Sequence, residues 1–397
     1  MALGGKLRNF YKFAAMKIML PFSYRLKRGR PIKENKVVFI ESRSDKMSDN
    51  FALIDRALRA RGGYDISLQC LRLGFGGTAA YFKNCLKMLD DIADARYVFL
   101  NDAMSAYGCL PLRKDTLTIQ TWHACGAFKR FGMSTTQKNY GSSEKEFTKY
   151  PPYGNVDFVA VSSPEVAPIY EKAMNLSAQK GQKALPVGTS RTDVYFDKAR
   201  IEEAKKHLFE AVPQAAGRKI FLYAPTFRGE FAEARIPDAL DINKLRLSLP
   251  EDSVLLIKHH PFARDKQQIP DTCADFAFDV THLLSIDDLI MTADLCISDY
   301  SSLVFEYSLM DKPMVFFAYD MEEYIDDRGF YYPFTEFCPG PIAKDMDSLI
   351  AAINEAQVSG LEKVRAFREK FMSSCDGHAT ERILELMDTA KPIASDK

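Results

Sequence analysis

Short apolar runs alternate along this chain with longer segments of helical periodicity. A continuous apolar run of roughly four to eight residues is typical of a strand that is buried on both faces of a parallel sheet. Helical segments between such strands serve as crossovers, so this order predicts an α/β protein. The predicted strands are Val37–Ser42, runs centred on Ile66, Val98, Ile119 and Val159, and then Lys219–Phe227, Val254–Pro261, Asp294–Ser302 and Pro313–Asp320.

The alternation of strands and helices is interrupted between residues 196 and 216 and then resumes, which predicts two doubly wound domains. We expect an N-terminal arm over 1–36, a first domain over 37–205 and a second over 206–397. Helices from Ser348 onward, the last of them over Glu362–Met387, are expected to close the second domain. Ligands of such sheets bind beyond the carboxyl ends of the strands, so chemistry is expected in a cleft that the two domains face.

The arm over 1–36 is basic and amphipathic. It contains ten lysine or arginine residues against the single acid Glu34, and Phe10, Ile18 and Phe22 belong to an apolar face at helical spacing. A basic helix with a wide apolar face can lie among lipid headgroups, and we predict that this one does. The alternative is an ordinary first helix packed on the protein. No apolar run reaches the roughly 18 residues of a membrane span, and no signal peptide is expected.

Charge and cysteine content narrow the classes of function. Lys+Arg and Asp+Glu both number 53 among 397 residues, so the sequence lacks a global basic field for nucleic acid. The eight cysteines form no CxxC pair, which favours reduced thiols in a cytosolic protein. The sequence contains no GxxxxGK[ST], HExxH or GxSxG motif and no cluster of metal ligands, so neither a metal nor a cofactor is expected.

Histidines stand at the ends of two predicted strands. His123 follows the run TLTIQTW and could serve as a general base near neutral pH. His260 follows VLLIKH, and strand alternation turns it to the side opposite His259. The chain has only six histidines, so their presence at both strand ends favours a functional role over incidental placement.

Other candidates for binding a phosphate also follow strands. Asp299, Ser301 and Ser302 stand where a strand passes into a helix, and the backbone N–H groups and hydroxyls there suit an anion. Ordinary helix capping explains the same residue types. Arg191 in LPVGTSRTD and Arg228 in YAPTFRG could clamp a phosphate, although Arg191 could instead pair with the aspartate two residues on.

Taken in order, these segments resemble the CDP-glycerol glycerophosphotransferase family of teichoic acid biosynthesis. The resemblance covers roughly residues 37–355, and its last block, Asp311 to Ile342, is long and highly specific. The matching segments are TWHACGAFKRFG, LPVGTSRTD, LYAPTFRG, KHHP, SIDDLIMTADLCISDYSS and DKPMVFFAYDMEEYIDDRGFYYPFTEFCPGPI.

The resemblance implies a fold of glycosyltransferase-B type, with the acceptor in the first domain and the CDP-alcohol in the second. His123 matches the family's proposed base, and His260 matches its donor-phosphate histidine. Ser301 and Ser302 match the phosphate-binding serines, and Asp299 precedes them in the same loop. A lipid-linked glycan acceptor and peripheral attachment at the cytoplasmic face of a bacterial cell membrane are implied as well.

Two segments depart from the family's pattern. The family usually reads WHG[TS]PLK where this chain reads WHACGAFK, so Ala124 and Cys125 alter the loop beside the proposed base. It usually reads GxPRND where this chain reads GTSRTD, so Ser190 and Thr192 replace a proline and an asparagine. Both departures bear more on the acceptor than on the donor, because the donor half is better matched.

The expected function is transfer of glycerol phosphate from CDP-glycerol to a hydroxyl of a membrane-lipid-linked acceptor, with release of CMP. Alternatives on the same scaffold are a CDP-ribitol-dependent transferase and a nucleotide-sugar glycosyltransferase. A non-catalytic membrane scaffold is a third alternative, but a scaffold needs neither His123 nor His260. The sequence leaves open glycerol versus ribitol, the acceptor, single addition versus polymerisation, and whether the chain forms a homo-oligomer.

Overall fold

The computed structural model contains two parallel six-stranded sheets. It describes residues 2–74, 77–137, 143–229, 234–260, 263, 265, 267–359 and 361–392. The chain divides into two compact units. Unit 1 comprises Met1–Ala124, Arg130–Asp193 and Ser374–Lys397, and unit 2 comprises Cys125–Lys129 and Val194–Ser373.

Unit 1 contains the first six strands and the first seven helices. Its strands are β1 (Lys33–Glu41), β2 (Asp65–Cys70), β3 (Ala95–Leu100), β4 (Leu117–Gln120), β5 (Phe158–Ala160) and β6 (Lys183–Leu185). Its helices are α1 (Ala2–Phe13), α2 (Leu20–Lys27), α3 (Asp49–Arg61), α4 (Gly77–Ile92), α5 (Ser105–Gly108), α6 (Glu144–Lys149) and α7 (Ala167–Met174), with a π-helical segment, Ala14–Met19, joining α1 to α2. The strand order is β2-β1-β3-β4-β5-β6.

Unit 2 contains the remaining six strands. They are β7 (Lys219–Tyr223), β8 (Ser253–Ile257), β9 (Ala277–Asp279), β10 (Leu295–Ser298), β11 (Met314–Phe317) and β12 (Ile342–Ala343), in the order β12-β11-β10-β7-β8-β9. Its helices are α8 (Lys198–Ala211), α9 (Ile242–Ser248), α10 (Ile286–Thr292), α11 (Leu303–Ser308), α12 (Met321–Arg328), α13 (Phe334–Phe337), α14 (Met346–Ser359) and α15 (Leu361–Met372).

Each sheet has one topological switch point, where successive strands stop being added on one side of the sheet and continue on the other. This point lies between β1 and β3 in unit 1 and between β7 and β10 in unit 2. Crossovers on either side of such a point leave a crevice at the carboxyl ends of the two strands, where ligands of parallel sheets bind. The topology therefore marks one candidate position in each unit.

All nine predicted strands are present, which confirms the α/β class. The strands β6, β9 and β12, which have three, three and two residues, were not predicted. The equally short β5 was predicted because it lies in the apolar run Phe158–Val161, a signal that the other three lack.

The predicted helix over Glu362–Met387 is wrong, because two helices occupy this region. After α15 the chain turns at Gly377, whose φ is 92°, and α16 (Ala379–Thr389) follows. Asp193 accepts hydrogen bonds from the first two N–H groups of α16, at 3.0 and 2.7 Å. The apolar side chains of α16 join the core beside β1, so this helix belongs to unit 1. The two units therefore differ in extent from the predicted domains.

The N-terminal helical arm packs on unit 1 along one side only. Leu20 and Tyr24 are buried, and the Arg28 guanidinium donates to the carbonyl oxygen of Pro111 at 3.1 Å. Large apolar side chains on the rest of the arm are exposed, the most exposed being Leu26 at 71%. The exposed set is Leu7, Phe10, Tyr11, Phe13, Ile18, Met19, Phe22 and Leu26. Among the described residues, no helix has the length and apolar character needed to cross a bilayer.

Candidate functional site

The His123 imidazole lies just beyond β4 in unit 1 and is held by the main chain. Its Nδ1 is 3.1 Å from the carbonyl oxygen of Asn101, and 49% of the side chain is exposed. A carbonyl can only accept a hydrogen bond, so Nδ1 carries the proton and donates it. Nε2 then retains its lone pair, which is the state that a general base needs.

The backbone that carries His123 is held in an unusual conformation. Trp122 has φ 58°, in the left-handed region that bulky residues rarely adopt. Its N–H donates to Oε1 of Gln120, and Nε2 of Gln120 donates to the carbonyl oxygen of Asp102, both at 3.0 Å. The Trp122 ring stacks on the imidazole with the centroids 4.2 Å apart. These contacts fix the direction in which His123 points.

Polar side chains at the switch point of unit 1 support this histidine. Nδ2 of Asn101 donates to Oε2 of Glu41 at 2.6 Å, which fixes the residue whose carbonyl holds the imidazole. Oδ1 of Asp102 lies 4.0 Å from Nδ1 of His123, and its other oxygen accepts from Nε of Arg43 at 3.0 Å. A carboxylate at this distance places negative charge beside the imidazole.

A buried ionic network lies at the switch point of unit 2. Nη1 of Arg228 is 2.9 Å from Oδ2 of Asp299, and Nη2 donates to Oδ1 of Asp320 at 3.0 Å. Nη1 also donates to the carbonyl and hydroxyl oxygens of Thr226, at 2.8 and 3.0 Å. Burial alone would lower the pKa of Arg228, but the two carboxylates raise it above its ordinary value, so the guanidinium stays charged.

The Asp299 carboxylate is also occupied by protein donors. The side chain is 1% exposed and accepts from the N–H groups of Thr226 and Tyr300, at 2.8 and 2.6 Å. Burial raises the pKa of Asp299, and the Arg228 guanidinium opposes that rise. Asp299 and Arg228 therefore position the loops after β7 and β10. Their predicted contact with a phosphate stays a prediction.

Aromatic rings surround the Arg228 guanidinium. Its carbon lies 5.3 Å from the ring centroids of Tyr300 and Tyr324 and 5.5 Å from that of Tyr319. The rings of Tyr300 and Tyr324 stack at 3.9 Å. Nζ of Lys129 donates to the Tyr324 hydroxyl at 2.8 Å, which puts a second cation beside this network.

The two neighbouring histidines differ in exposure, as strand alternation predicts. His259 is 3% exposed, whereas His260 is half-buried and its ring lies 5.1 Å from that of Phe227. Burial lowers the pKa of His260, and the positive charge of Lys129 lowers it further. The free protein therefore carries a neutral imidazole here at neutral pH. Pro261, which follows, lies outside the described residues.

The serines that follow Asp299 lie at the start of the six-residue helix α11. Oγ of Ser301 accepts from the N–H of Leu303 at 3.3 Å, so this side chain takes part in local capping. Ser302 occupies the N-cap position, but its side chain makes no capping hydrogen bond. Both serines are half-buried. The capping alternative accounts for Ser301 and leaves the Ser302 hydroxyl as the better candidate for a ligand.

Arg191 lies in unit 1, whereas the other phosphate candidates lie in unit 2. It is half-buried within the 3₁₀-helical turn Ser190–Phe196. The carboxylate of Asp193 caps α16, and the predicted pairing of Arg191 with Asp193 stays a prediction.

Three further residues belong to these sites but were not selected from the sequence. Asn101 and Asp320 each follow a strand, which is the signal that could have identified them. Lys129 lies close enough to His260 for its positive charge to lower the pKa of that imidazole. Among the described residues, no group of three or more His, Cys, Asp or Glu side chains is placed to hold a metal ion.

Comparison with known proteins assigns this architecture to one family. The family model described as CDP-Glycerol:Poly(glycerophosphate) glycerophosphotransferase matches residues 22–388. The teichoic acid ribitol-phosphate primase of Bacillus spizizenii is 35% identical over 90% of this chain and 92% of its own length. The teichoic acid glycerol-phosphate primase of Bacillus subtilis is 32% identical over 70% of this chain and 69% of its own length.

The solved structure of the wall teichoic acid polymerase TagF has a similar fold. It superposes with a TM-score of 0.74 and 23% sequence identity, covering 96% of this chain and 95% of the other. At this identity the likeness concerns the fold alone.

Replacing Asp299 by Asn should destabilise unit 2 strongly, because it leaves a buried guanidinium without one of its two carboxylates. Breaking a buried pair in this way typically costs about 3–5 kcal/mol. The matched control is Asp311→Asn, whose partner Arg365 is exposed and whose loss should cost about 1 kcal/mol or less. Urea unfolding of both variants measures the difference, and equal losses would contradict the role given to Asp299.

Proposed function

The chain belongs to the CDP-glycerol:poly(glycerophosphate) glycerophosphotransferase family, and on that premise we propose that it transfers an alditol phosphate from a CDP-activated donor to a lipid-linked acceptor. The acceptor hydroxyl receives the phosphate and CMP is released, as a step in teichoic acid or related cell-surface polymer synthesis. The observation that carries the reaction class is the hydrogen bond from His123 to the Asn101 carbonyl, which leaves Nε2 of a half-exposed imidazole able to accept a proton.

The proposed step is an in-line displacement at the β-phosphorus of the donor. The acceptor oxygen forms a bond to this phosphorus while the bond to the bridging oxygen breaks, and CMP leaves with that oxygen. The proton of the acceptor hydroxyl passes to Nε2 of His123, and Asp102 stabilises the imidazolium. Such transfers depend on positioning and on groups that stabilise charge on the phosphates.

Residues of unit 2 supply the proposed donor site. His260, Ser302 and Lys129 are the candidates for direct contact with the diphosphate, with Ser301 beside them in the same turn. Asp299 and Arg228 hold the loops that carry these groups, as their buried hydrogen bonds support. Arg191 stays a weaker candidate for contact with phosphate.

Glycerol and ribitol are the two candidate alcohols of the donor. The family description names glycerol, which agrees with the sequence analysis. The similarity to the ribitol-phosphate primase favours ribitol, because that relative aligns with 90% of this chain. The glycerol-phosphate primase of Bacillus subtilis aligns with 70%. A glycosyltransferase-B class remains a prediction that the parallel six-stranded sheet in each unit supports.

Peripheral attachment at the cytoplasmic face of the membrane is proposed from the arm. Its exposed apolar side chains lie on the same helix as an excess of basic residues, the combination that lets a helix rest among anionic headgroups.

Turnover should depend on His123 while donor binding should not. With a lipid-linked acceptor, the purified protein should release CMP from CDP-glycerol or CDP-ribitol, and His123→Gln should lower kcat about 10²- to 10⁴-fold. UDP-sugars serve as the donor control, since activity with them alone would favour a glycosyltransferase. Normal turnover in His123→Gln would remove this residue from the mechanism, and no CMP release from either CDP-alcohol would leave the scaffold alternative.

Donor affinity should increase as the pH falls through the titration of His260. The pKa of this imidazole is lowered in the free protein, and an approaching diphosphate raises it, so binding takes up a proton. The two phosphates of a CDP-alcohol carry no titrating group in this range. Calorimetric titration between about pH 5.5 and 8.5 should show this trend, and His260→Ala should abolish it.

The buried neighbour His259 gives the control for the pH experiment. His259→Ala should lower stability and leave the pH dependence of donor binding in place, because its ring is buried. A pH dependence that persists in His260→Ala and disappears in His259→Ala would assign the diphosphate to the other histidine.

Membrane binding should require the exposed apolar face of the arm. The triple variant Phe10→Glu/Ile18→Glu/Phe22→Glu should lower binding to phosphatidylglycerol vesicles at least about a hundredfold, since each buried side chain contributes about 1.5–3 kcal/mol. The control Leu247→Glu/Leu283→Glu/Val358→Glu changes exposed apolar residues of unit 2 by the same charge. Equal retention of both variants on sedimented vesicles would refute the attachment.

A further inference from the structure

A buried carboxylate ends β1 at the switch point of unit 1. Glu41 is 2% exposed, and both of its oxygens accept from neutral donors. Oε1 accepts from the N–H of Ser48 at 2.7 Å, and Oε2 accepts from Nδ2 of Asn101 at 2.6 Å. A buried carboxylate is costly and is rarely found without a cation beside it. Its presence here therefore indicates a role beyond completing the strand.

The helix that follows β1 lacks its usual cap because of this network. Ser48 is the N-cap residue of α3, but its hydroxyl makes no capping hydrogen bond. Oγ of Ser48 instead accepts from Nδ2 of Asn101 at 3.2 Å. A serine at this position ordinarily stabilises its helix by accepting from an N–H group of the first turn. The capping group of α3 therefore helps to hold Asn101.

The side-chain amide of Asn101 is held in one orientation. A carboxylate can only accept hydrogen bonds, so the NH₂ group of Asn101 must face Glu41. Oδ1 of Asn101 is buried and has no hydrogen-bond partner among the described residues, so the contacts of the NH₂ group set the position of this side chain. The carbonyl oxygen of the same residue accepts from Nδ1 of His123.

The state of the His123 imidazole depends on that carbonyl. Within the part of the chain that the structure describes, it supplies the one hydrogen bond of the ring, at 3.1 Å, and 49% of the side chain is exposed. Oδ1 of Asp102, at 4.0 Å, is too distant for a hydrogen bond. Without an acceptor at Nδ1, the proton of the neutral ring is free to move to Nε2, which could then no longer accept a proton.

We propose that Glu41 is a positioning residue for the transfer reaction. Its carboxylate fixes Asn101, and Asn101 holds the neutral imidazole of His123 in the tautomer that leaves Nε2 free. Glu41 acts through two hydrogen bonds in series and does not itself contact a substrate. The inference rests on the proposed transferase function and adds to it the residue that sets the state of its base.

The nearly isosteric variant Glu41→Gln tests the first of these hydrogen bonds. An amide has one accepting oxygen, so either the N–H of Ser48 or the NH₂ of Asn101 loses its acceptor. In CMP release from CDP-glycerol or CDP-ribitol, kcat should fall about 10- to 100-fold, less than in His123→Gln, while KM for each substrate should change less than about threefold.

The tautomer of His123 can be measured without any substrate. Nuclear magnetic resonance spectra of the full-length protein with isotopically labelled ring nitrogens distinguish the two neutral forms, and the His123→Gln spectrum identifies the signals of His123. The wild-type ring should be protonated at Nδ1, and Glu41→Gln should shift the proton toward Nε2. This measurement does not require turnover, so failure of this inference is distinguishable from failure of the proposed function.

The matched control is Asp91→Asn, which alters another partly buried carboxylate of unit 1. Asp91 accepts from Nε2 of Gln69 at 2.8 Å and pairs with Nζ of Lys36 at 2.8 Å. Lys36 precedes Glu41 on the same strand by about 16 Å. Asp91→Asn should lower stability but leave both kcat and the tautomer of His123 unchanged.

The double variant Glu41→Gln/Asn101→Asp should restore what the single variant loses. The introduced amide can donate to the introduced carboxylate, while its oxygen still accepts from the N–H of Ser48. The hydrogen bond thus returns with its polarity reversed. The double variant should recover the Nδ1-protonated ring and raise kcat about tenfold over Glu41→Gln.

Three results would overturn the proposal. An unchanged tautomer in Glu41→Gln would separate the carboxylate from the imidazole, whatever happens to kcat. An equal loss of kcat in Asp91→Asn would reduce the effect to the loss of any carboxylate from unit 1. A folded double variant that keeps the tautomer of Glu41→Gln would show that the hydrogen bond to residue 101 does not control the ring.

Discussion

Parallel pairing of every described strand gathers the residues that follow the strands along one edge of each sheet. In unit 1 this edge brings Asn101 and His123 together, and in unit 2 it brings together Arg228 and Asp299. Backbone and side-chain polar groups at such an edge are partly buried and must be hydrogen-bonded. The constraint that creates the sites therefore also requires many of their polar residues to bond to one another.

The satisfaction of polar groups explains why some candidates could be predicted from the sequence and others could not. The position of His123 after a strand is a local property, and so is the opposite orientation of His259 and His260. The partner of Arg228 is not local, since Asp320 lies 92 residues further along the chain. A charged residue after a strand looks the same in sequence whether it faces a ligand or a buried carboxylate.

The same distinction between local and distant information holds for the fold. Strands that lie in an apolar run of four or more residues can be read directly, which is why β1, β5 and β7 were predicted. Short strands such as β12 depend on the neighbours with which they pair. The assignment of α16 to unit 1 depends on Asp193, which lies nearly half the chain away from the helix that it caps.

Trp122 connects the polar residues that follow β4 with an aromatic cluster of unit 1. A tryptophan with positive φ costs free energy, and such a residue persists only where its surroundings determine the conformation. Here Gln120 holds its N–H, and its ring has the His123 imidazole on one side and the rings of Phe131 and Tyr153 nearby. The strained backbone buries the indole and leaves the next side chain, that of His123, half-exposed. One backbone conformation therefore sets the positions of both rings, and a site that depends on the imidazole depends on the tryptophan as well.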